Sequence, residues 1–318
     1  MSAEQSARTI RQADGLDPVR ALQRVLYRSA KQNRTRRFHA LYDKLTRSDV
    51  MHSAWKDVAR NQGAPGIDKV SITDISSRGP ESIQTFLDVL TEELRTGTYR
   101  PKPLRRVHIP KPGRPGETRP LGIPWVRDRV VMAAAKLVLE PIFEADFSPV
   151  SFGFRPKRSP HQALEVVRIT ANRGMVWVLD ADIKACFDTI DHDKLMAQIE
   201  RRVVDRQMLK LVRSWLRVGI FEGGVVSEPT SGVIQGSPLS PLLANIALNV
   251  LDEVWADKGK RLGKLVRYCD DFVVLCPTKE RAEQARYLIE ETLVPLGLVL
   301  HPDSKNGYAS CFACQYLY

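Results

Sequence analysis

The chain has 318 residues, of which 43% are hydrophobic and 27% charged; this is ordinary globular composition, which excludes wholesale disorder and leaves room for about two domains at roughly 150 residues each. No apolar run approaches the roughly 18 residues that cross a bilayer, so no membrane partner is expected, and the N-terminal stretch lacks the apolar core of a secretory signal. The net charge of +11 is concentrated in residues 1–60, with 13 basic and 6 acidic side chains, and in residues 100–129, with 9 and 2; such blocks suit a polyanion, though solvated surface charge explains each equally well.

In chain order, residues 1–60 read as basic and helical. Val19, Leu22, Val25 and Leu26 recur at helical spacing after Asp17-Pro18. Gly63-Ala-Pro-Gly66 is a break, and Ser82 to Leu94 is a second helix. Seven prolines between Pro101 and Pro124 exclude a continuous helix there. Arg105–Ile109 and Arg119–Ile123 instead suggest a basic hairpin closed by Lys111-Pro-Gly-Arg-Pro-Gly116. Helical periodicity returns from Asp128 to Glu144. Met175–Ile183 reads as a strand, His192–Val203 as a helix with Asp191 as its cap, and Arg206–Val218 as another helix. An apolar helix runs to about Val254. Leu265–Cys276 reads as a hairpin with Asp270-Asp271 at or near its turn, and Glu280–Val294 as a last helix. The five cysteines, odd in number, fit reduced thiols in the cytoplasm. Cys311 and Cys314 have the spacing of half a zinc site, but no second pair accompanies them.

The acids carry the chemical argument. Two adjacent carboxylates in an apolar hairpin repel each other, and a hard divalent ion such as Mg²⁺ is their natural compensation; a solvated turn is the ordinary alternative for such a dipeptide taken alone. Upstream, Val178-Leu-Asp-Ala-Asp-Ile-Lys-Ala-Cys-Phe-Asp188 places Asp180 and Asp182 on one face of a strand. A carboxylate from that strand beside the hairpin would complete a two-metal site for phosphoryl transfer. Asp188, Asp191 and Asp193 read better as turn and cap residues.

These blocks, in this order, resemble the reverse transcriptases encoded by bacterial group II introns. Gly63-Ala-Pro-Gly-Ile-Asp68 resembles the N-terminal extension block. Arg119-Pro-Leu-Gly-Ile-Pro124, Asp128-Arg129, Leu139-Glu-Pro-Ile-Phe-Glu144 and Ser151-Phe-Gly-Phe-Arg-Pro156 resemble the fingers blocks. Asp182-Ile-Lys-Ala-Cys-Phe-Asp188 and Gln235-Gly-Ser-Pro-Leu-Ser-Pro-Leu-Leu-Ala-Asn245 resemble the palm motifs, and Tyr268-Cys-Asp-Asp271 is a variant of the Tyr-X-Asp-Asp box. The match covers roughly residues 60–300.

The resemblance implies an α+β fold, the fingers and palm of a right-hand polymerase. An antiparallel palm sheet flanked by helices would follow a helical N-terminal extension, divided as 1–60, fingers 61–175 and palm 176–318, with the thumb and maturase domain absent. It implies Asp182, Asp270 and Asp271 as catalytic acids holding two Mg²⁺ ions. Phe187 would disfavour a ribose 2′-hydroxyl, Gln235 and Gly236 would lie beside the nucleotide, and Lys111 and Arg119 would grip its triphosphate. Lys305 would stand in for a lysine aiding pyrophosphate departure, and Arg155 would support template or internal packing. The expected partners are intron RNA template, DNA primer and dNTPs, with splicing and intron mobility as associated roles; the oligomeric state is left open. Past Asp303 the sequence departs from the family pattern, which raises the alternative of a truncated or frameshifted copy acting as a non-catalytic intron-RNA-binding remnant or a pseudogene product.

Overall fold

The computed structural model describes residues 17–111, 113, 116–301 and the backbone of 309–310. Lys305, Arg114, Cys311 and Cys314 fall outside the described residues. Among those described, no helix is long and apolar enough to cross a membrane.

The Asp17 carboxylate accepts from the Val19 N–H and opens α1 (Pro18–Gln32), with Pro18 at a position where a missing donor costs nothing. Helices α2 (Ser48–Asn61) and α3 (Pro80–Thr96) follow, the latter ending at Gly97 with φ +70. The proline-rich stretch forms the antiparallel pair β1 (Leu104–Pro110) and β2 (Thr118–Ile123), with Arg105 opposite Ile123 and Pro110 opposite Thr118. Next come α4 (Val126–Glu144), α5 (Pro160–Asn172) behind a Ser159–Gln162 capping box, and β3 (Trp177–Asp182). Short α6 (Cys186–Thr189), α7 (His192–Glu200) and α8 (Arg206–Leu216) lead to β4 (Ile220–Glu222) and β5 (Val225–Ser227). The chain continues through α9 (Ser240–Asp257), β6 (Lys264–Tyr268), β7 (Asp271–Cys276), α10 (Lys279–Leu293) and β8 (Ala309–Ser310). The β4–β5 hairpin is an addition to the sequence reading. Its turn is Gly223-Gly224, with φ +57 and +89, the pair of positive values that a tight two-residue hairpin requires.

One compact unit takes in the chain up to residue 146 with 199–229 and 234–239. Its centre is α4, buried on nearly every side through Val130, Met132, Ala134, Val138 and Ile142. Pro141 lies inside this helix and has no N–H for the Leu137 carbonyl. The Gln23 amide on α1 donates to that carbonyl instead, at 3.1 Å, and Lys31 donates to the Ala145 carbonyl at 3.0 Å. The unit's sheet has the order β2-β1-β4-β5. At the start of α4, Asp128 is only 1% exposed. It accepts from the Tyr99 hydroxyl at 2.7 Å and the Lys102 N–H at 3.0 Å. Burial nevertheless pushes its carboxyl up to about 6.

The other unit comprises residues 147–198, 230–233 and 240–301, with 309–310. Its sheet has the order β6-β7-β3-β8 with every pairing antiparallel. One face, carrying Leu265, Arg267, Phe272, Val274 and Cys276, is buried toward α9 and α10. The other carries Val266 and Leu275, which join Phe152 and Ala163 in a small core beneath α5. Residues 147–175 therefore pack with the acid-bearing sheet, and 199–229 return to the first unit, so the two units are discontinuous where the sequence division at 60 and 175 is contiguous.

Candidate active site

In the second unit, the expected acids come together on neighbouring strands. Asp182, the last residue of β3, is directly opposite Asp271, the first residue of β7, and Asp271 is in turn opposite Tyr268 of β6. Opposed residues of an antiparallel pair have Cβ atoms roughly 4.5–5.5 Å apart on one face. Asp180 shares that face, opposite Val273. Cys269 and Asp270 form the two-residue turn between β6 and β7, with Cys269 at φ +62.

The thiols report the local charge. Burial, and next the Asp270 carboxylate, push both Cys186 and Cys269 well above the ordinary thiol range, with Asp182 and Asp188 adding to the effect at Cys186. The carboxylates of Asp182, Asp270 and Asp271 are hard oxygen donors of the kind that suits Mg²⁺. Among the described residues no group of three or more His, Cys, Asp or Glu side chains is already gathered as a metal cage. Mg²⁺ does not require one, since it typically takes one or two carboxylates and completes its shell with water and substrate phosphate.

A buried network fixes the turn that bears Asp270. Arg267 and Asp252 are both fully buried and bidentate, at 2.8 and 2.6 Å. The same guanidinium donates to the Cys269 carbonyl at 2.8 Å and to Asn245 Oδ1 at 3.1 Å, while the Asn245 amide donates to the Gly153 carbonyl at 2.8 Å. A Cβ on Gly153 would lie 2.5 Å from the Cys269 nitrogen, so only glycine lets this loop close on the turn. Sequence reasoning assigned no role to Arg267, Asp252, Asn245 or Gly153. The available signal was an arginine inside an apolar strand and an aspartate inside an apolar helix, each of which needs a buried partner.

Phe187 is half-buried in α6, which starts from Ala185 at φ +48. Residues 231–233 clasp this turn. The Val233 N–H donates to the Phe187 carbonyl at 2.6 Å and the Gly232 N–H to the Ile190 carbonyl at 2.8 Å. Gly232 has φ +90, and a Cβ there would meet backbone atoms of Asp188 and Phe187 at 2.8–2.9 Å.

Gln235, Gly236, Arg119 and Lys111 belong to the first unit. The Gly122 N–H donates to the Gln235 carbonyl at 2.8 Å, binding the Gln-Gly block to β2. Gly236 has φ +107, with space for a Cβ only 3.0 Å from the Gly122 carbonyl oxygen. Arg119 is exposed on β2 opposite Ile109. Lys111 is tied to Glu117 at 2.7 Å, an ion pair that a triphosphate would have to displace. In the second unit, Arg155 is buried, donates to the Ser148 and Ser151 carbonyls at 2.6 and 2.7 Å and lies over Phe147; these contacts are internal packing.

A family model described as reverse transcriptase (RNA-dependent DNA polymerase) matches residues 109–307. The chain belongs to the reverse transcriptase family. Within it, this chain is similar to Protein YkfC of Escherichia coli (strain K12), at 36% identity over 242 residues, covering 74% of this chain and 62% of that protein. It is also 36% identical over 240 residues to the group II intron-encoded protein LtrA of Lactococcus lactis subsp. cremoris, covering 75% of this chain and 39% of that one. A putative COX1/OXI3 intron 1 protein of Saccharomyces cerevisiae is 39% identical over 168 residues, 52% of this chain and 20% of its own length. The chain thus spans less than two thirds of the length of these relatives, and the similarity to LtrA agrees with the group II intron type read from its motifs. Among solved structures, a partial Cas6-RT-Cas1–Cas2 complex matches at 26% identity and a TM-score of 0.47, covering 80% of this chain and 41% of that one.

Proposed function

We propose that this chain performs RNA-directed DNA synthesis for a group II intron, extending a DNA primer on intron RNA with dNTPs, and that it takes part in splicing and mobility of that intron. The observation that carries the reading is the β3–β7 register, which sets Asp182 opposite Asp271 with Asp270 adjacent in the turn. Asp182 and Asp270 would hold two Mg²⁺ ions, with Asp271 engaged less directly; when bound, the ions supply charge stabilisation at the attacking and leaving oxygens. The primer 3′-oxygen bonds to the α-phosphorus while the α–β bridging bond breaks and pyrophosphate leaves. Arg119, and Lys111 once released from Glu117, neutralise charge on that leaving group. Gly236 keeps the backbone open to the nucleotide beside Gln235, and Phe187 packs under the sugar and excludes a 2′-hydroxyl.

The test is primer extension on poly(rA)/oligo(dT) with Mg²⁺. Wild-type chain should extend the primer and Asp270→Ala should not. Extension by both would remove the carboxylates from the reaction; extension by neither, with specific RNA binding retained, would favour a non-catalytic RNA-binding role.

A further inference from the structure

The second unit has a cavity of about 350 Å³ away from the acid-bearing turn, lined by Pro149, Val150, Phe152, Lys157, Arg158, Gln162, Val166 and Lys264. Three of these side chains are cations, and no Asp or Glu is among them. The nearby acid on α5, Glu165, is held bidentately by Arg168 at 2.7 and 2.8 Å. The floor is apolar. Arg158 is fixed upon it, with its guanidinium 5.0 Å from the Phe152 ring centre and one N–H on the Pro149 carbonyl at 3.1 Å. Lys157 holds φ +62, a conformation a lysine adopts only at a cost, and its side chain is exposed at the rim. Lys264, at the start of β6, is exposed as well.

We propose that this cavity binds one nucleotide unit of a single strand, the phosphate between Lys157 and Lys264 and the base against the Pro149–Val150 floor. Proteins that hold single-stranded nucleic acid without reading its sequence track its backbone with a positive surface and seat its bases on flat faces; here Lys157 and Lys264 are the cations, and the Pro149–Val150 surface takes the place of a stacking ring. Its placement gives the site a use. Lys264, Val266 and Tyr268 share one face of β6, and Tyr268 is opposite Asp271. Four residues of strand cover about 13 Å, a span of a few nucleotides. A strand engaged at the acids would reach the cavity within a few nucleotides, so the cavity would anchor the nucleic acid without touching the reacting atoms. The proposal rests on the polymerase reading for its occupant, yet its test needs no catalysis.

The experiment is fluorescence anisotropy of labelled 12-mer oligo(rU) and oligo(dT) with the full chain, without Mg²⁺ or dNTP, over a range of NaCl concentrations. The variant Lys157→Gly/Lys264→Gln removes both charges, and glycine keeps the left-handed backbone. The control Lys56→Gln/Lys210→Gln removes two exposed charges elsewhere. The slope of log affinity against log salt should fall by about 0.7 in the cavity variant, the value for one phosphate contact on a single strand, and by less in the control. Equal loss on RNA and DNA identifies the shared phosphodiester as the ligand, and loss on RNA alone adds the 2′-hydroxyl. A slope no different from the control overturns the proposal. So does loss of the difference between wild type and variant in millimolar inorganic phosphate, which would make the cavity a site for a free anion. Lys264→Glu alone should weaken binding further and guards against a fold defect from Lys157. Failure here leaves the extension assay untouched, and an inactive polymerase still reports on the cavity.

Discussion

Replacing Arg267 by methionine should separate the stability of the second unit from the placement of its acids. The guanidinium makes four hydrogen bonds, two to Asp252, one to Asn245 and one to the Cys269 carbonyl, from a side chain with no exposed surface. Methionine fills much of the volume but leaves the Asp252 carboxylate buried without a counter-charge. Breaking one partner of such a pair costs about 3–5 kcal/mol, a large part of the 5–15 kcal/mol typical of a folded domain. Arg267→Met/Asp252→Leu removes both charges and should recover the part of that loss due to the unpaired carboxylate, leaving a cost of about 1 kcal/mol or more for each of the orphaned Cys269 carbonyl and Asn245 oxygen. The turn bearing Asp270 stays unpinned in the double variant, so primer extension should remain depressed although the protein is folded. Urea unfolding followed by circular dichroism gives the first quantity and single-turnover extension the second. A single variant that loses less than about 1 kcal/mol, or a double variant that regains full extension, would refute the reasoning.

Four further outcomes follow from particular contacts. Asp128 has its carboxyl raised to about 6 from an ordinary 3.8, so the folded state holds a proton that the unfolded chain releases. Its contribution is fully present below the unfolded value and is lost as pH rises through 6; urea titrations should show about 1 kcal/mol lost between pH 5 and pH 7.5, absent in Asp128→Asn. Gln23→Ala should cost about 1 kcal/mol by orphaning the Leu137 carbonyl, measured by thermal or urea unfolding. Gly236→Ala, at φ +107 and against the Gly122 oxygen, should destabilise by about 1–3 kcal/mol and raise KM for dNTP. Phe187→Ala should ease ribonucleotide incorporation in extension assays, and unchanged sugar discrimination would remove its role as a gate.

The elements were legible because their signals are local. Asp17-Pro18, the Ser159–Gln162 box and the alternation through Val178 and Leu179 each specify an element without distant help. That an acid of β3 would stand beside the Asp270-Asp271 hairpin was legible from acids on apolar strands, whereas the choice of Asp182 over Asp180 rests on the family resemblance. The support beneath them was not. Arg267 meets Asp252 across 15 residues and Asn245 across 22, and nothing in a single sequence specifies which buried acid answers which buried base. The Gly223-Gly224 hairpin escaped notice because its strands are three residues each, too short to show a period. The discontinuous units escaped because packing, not sequence order, assigns residues 199–229 to the first of them.

The proline inside α4 has a consequence for how the chain folds. Helix formation is normally a local matter, yet the Leu137 carbonyl and the end of α4 are both completed by side chains 114 residues earlier in the chain. Contacts of that separation raise contact order and slow the search for the native state. During synthesis α1 would emerge long before the helix it serves, and the core of the first unit would close only when the two meet. A deletion of α1 would therefore act less like trimming a terminus than like removing a strut from the middle of the protein.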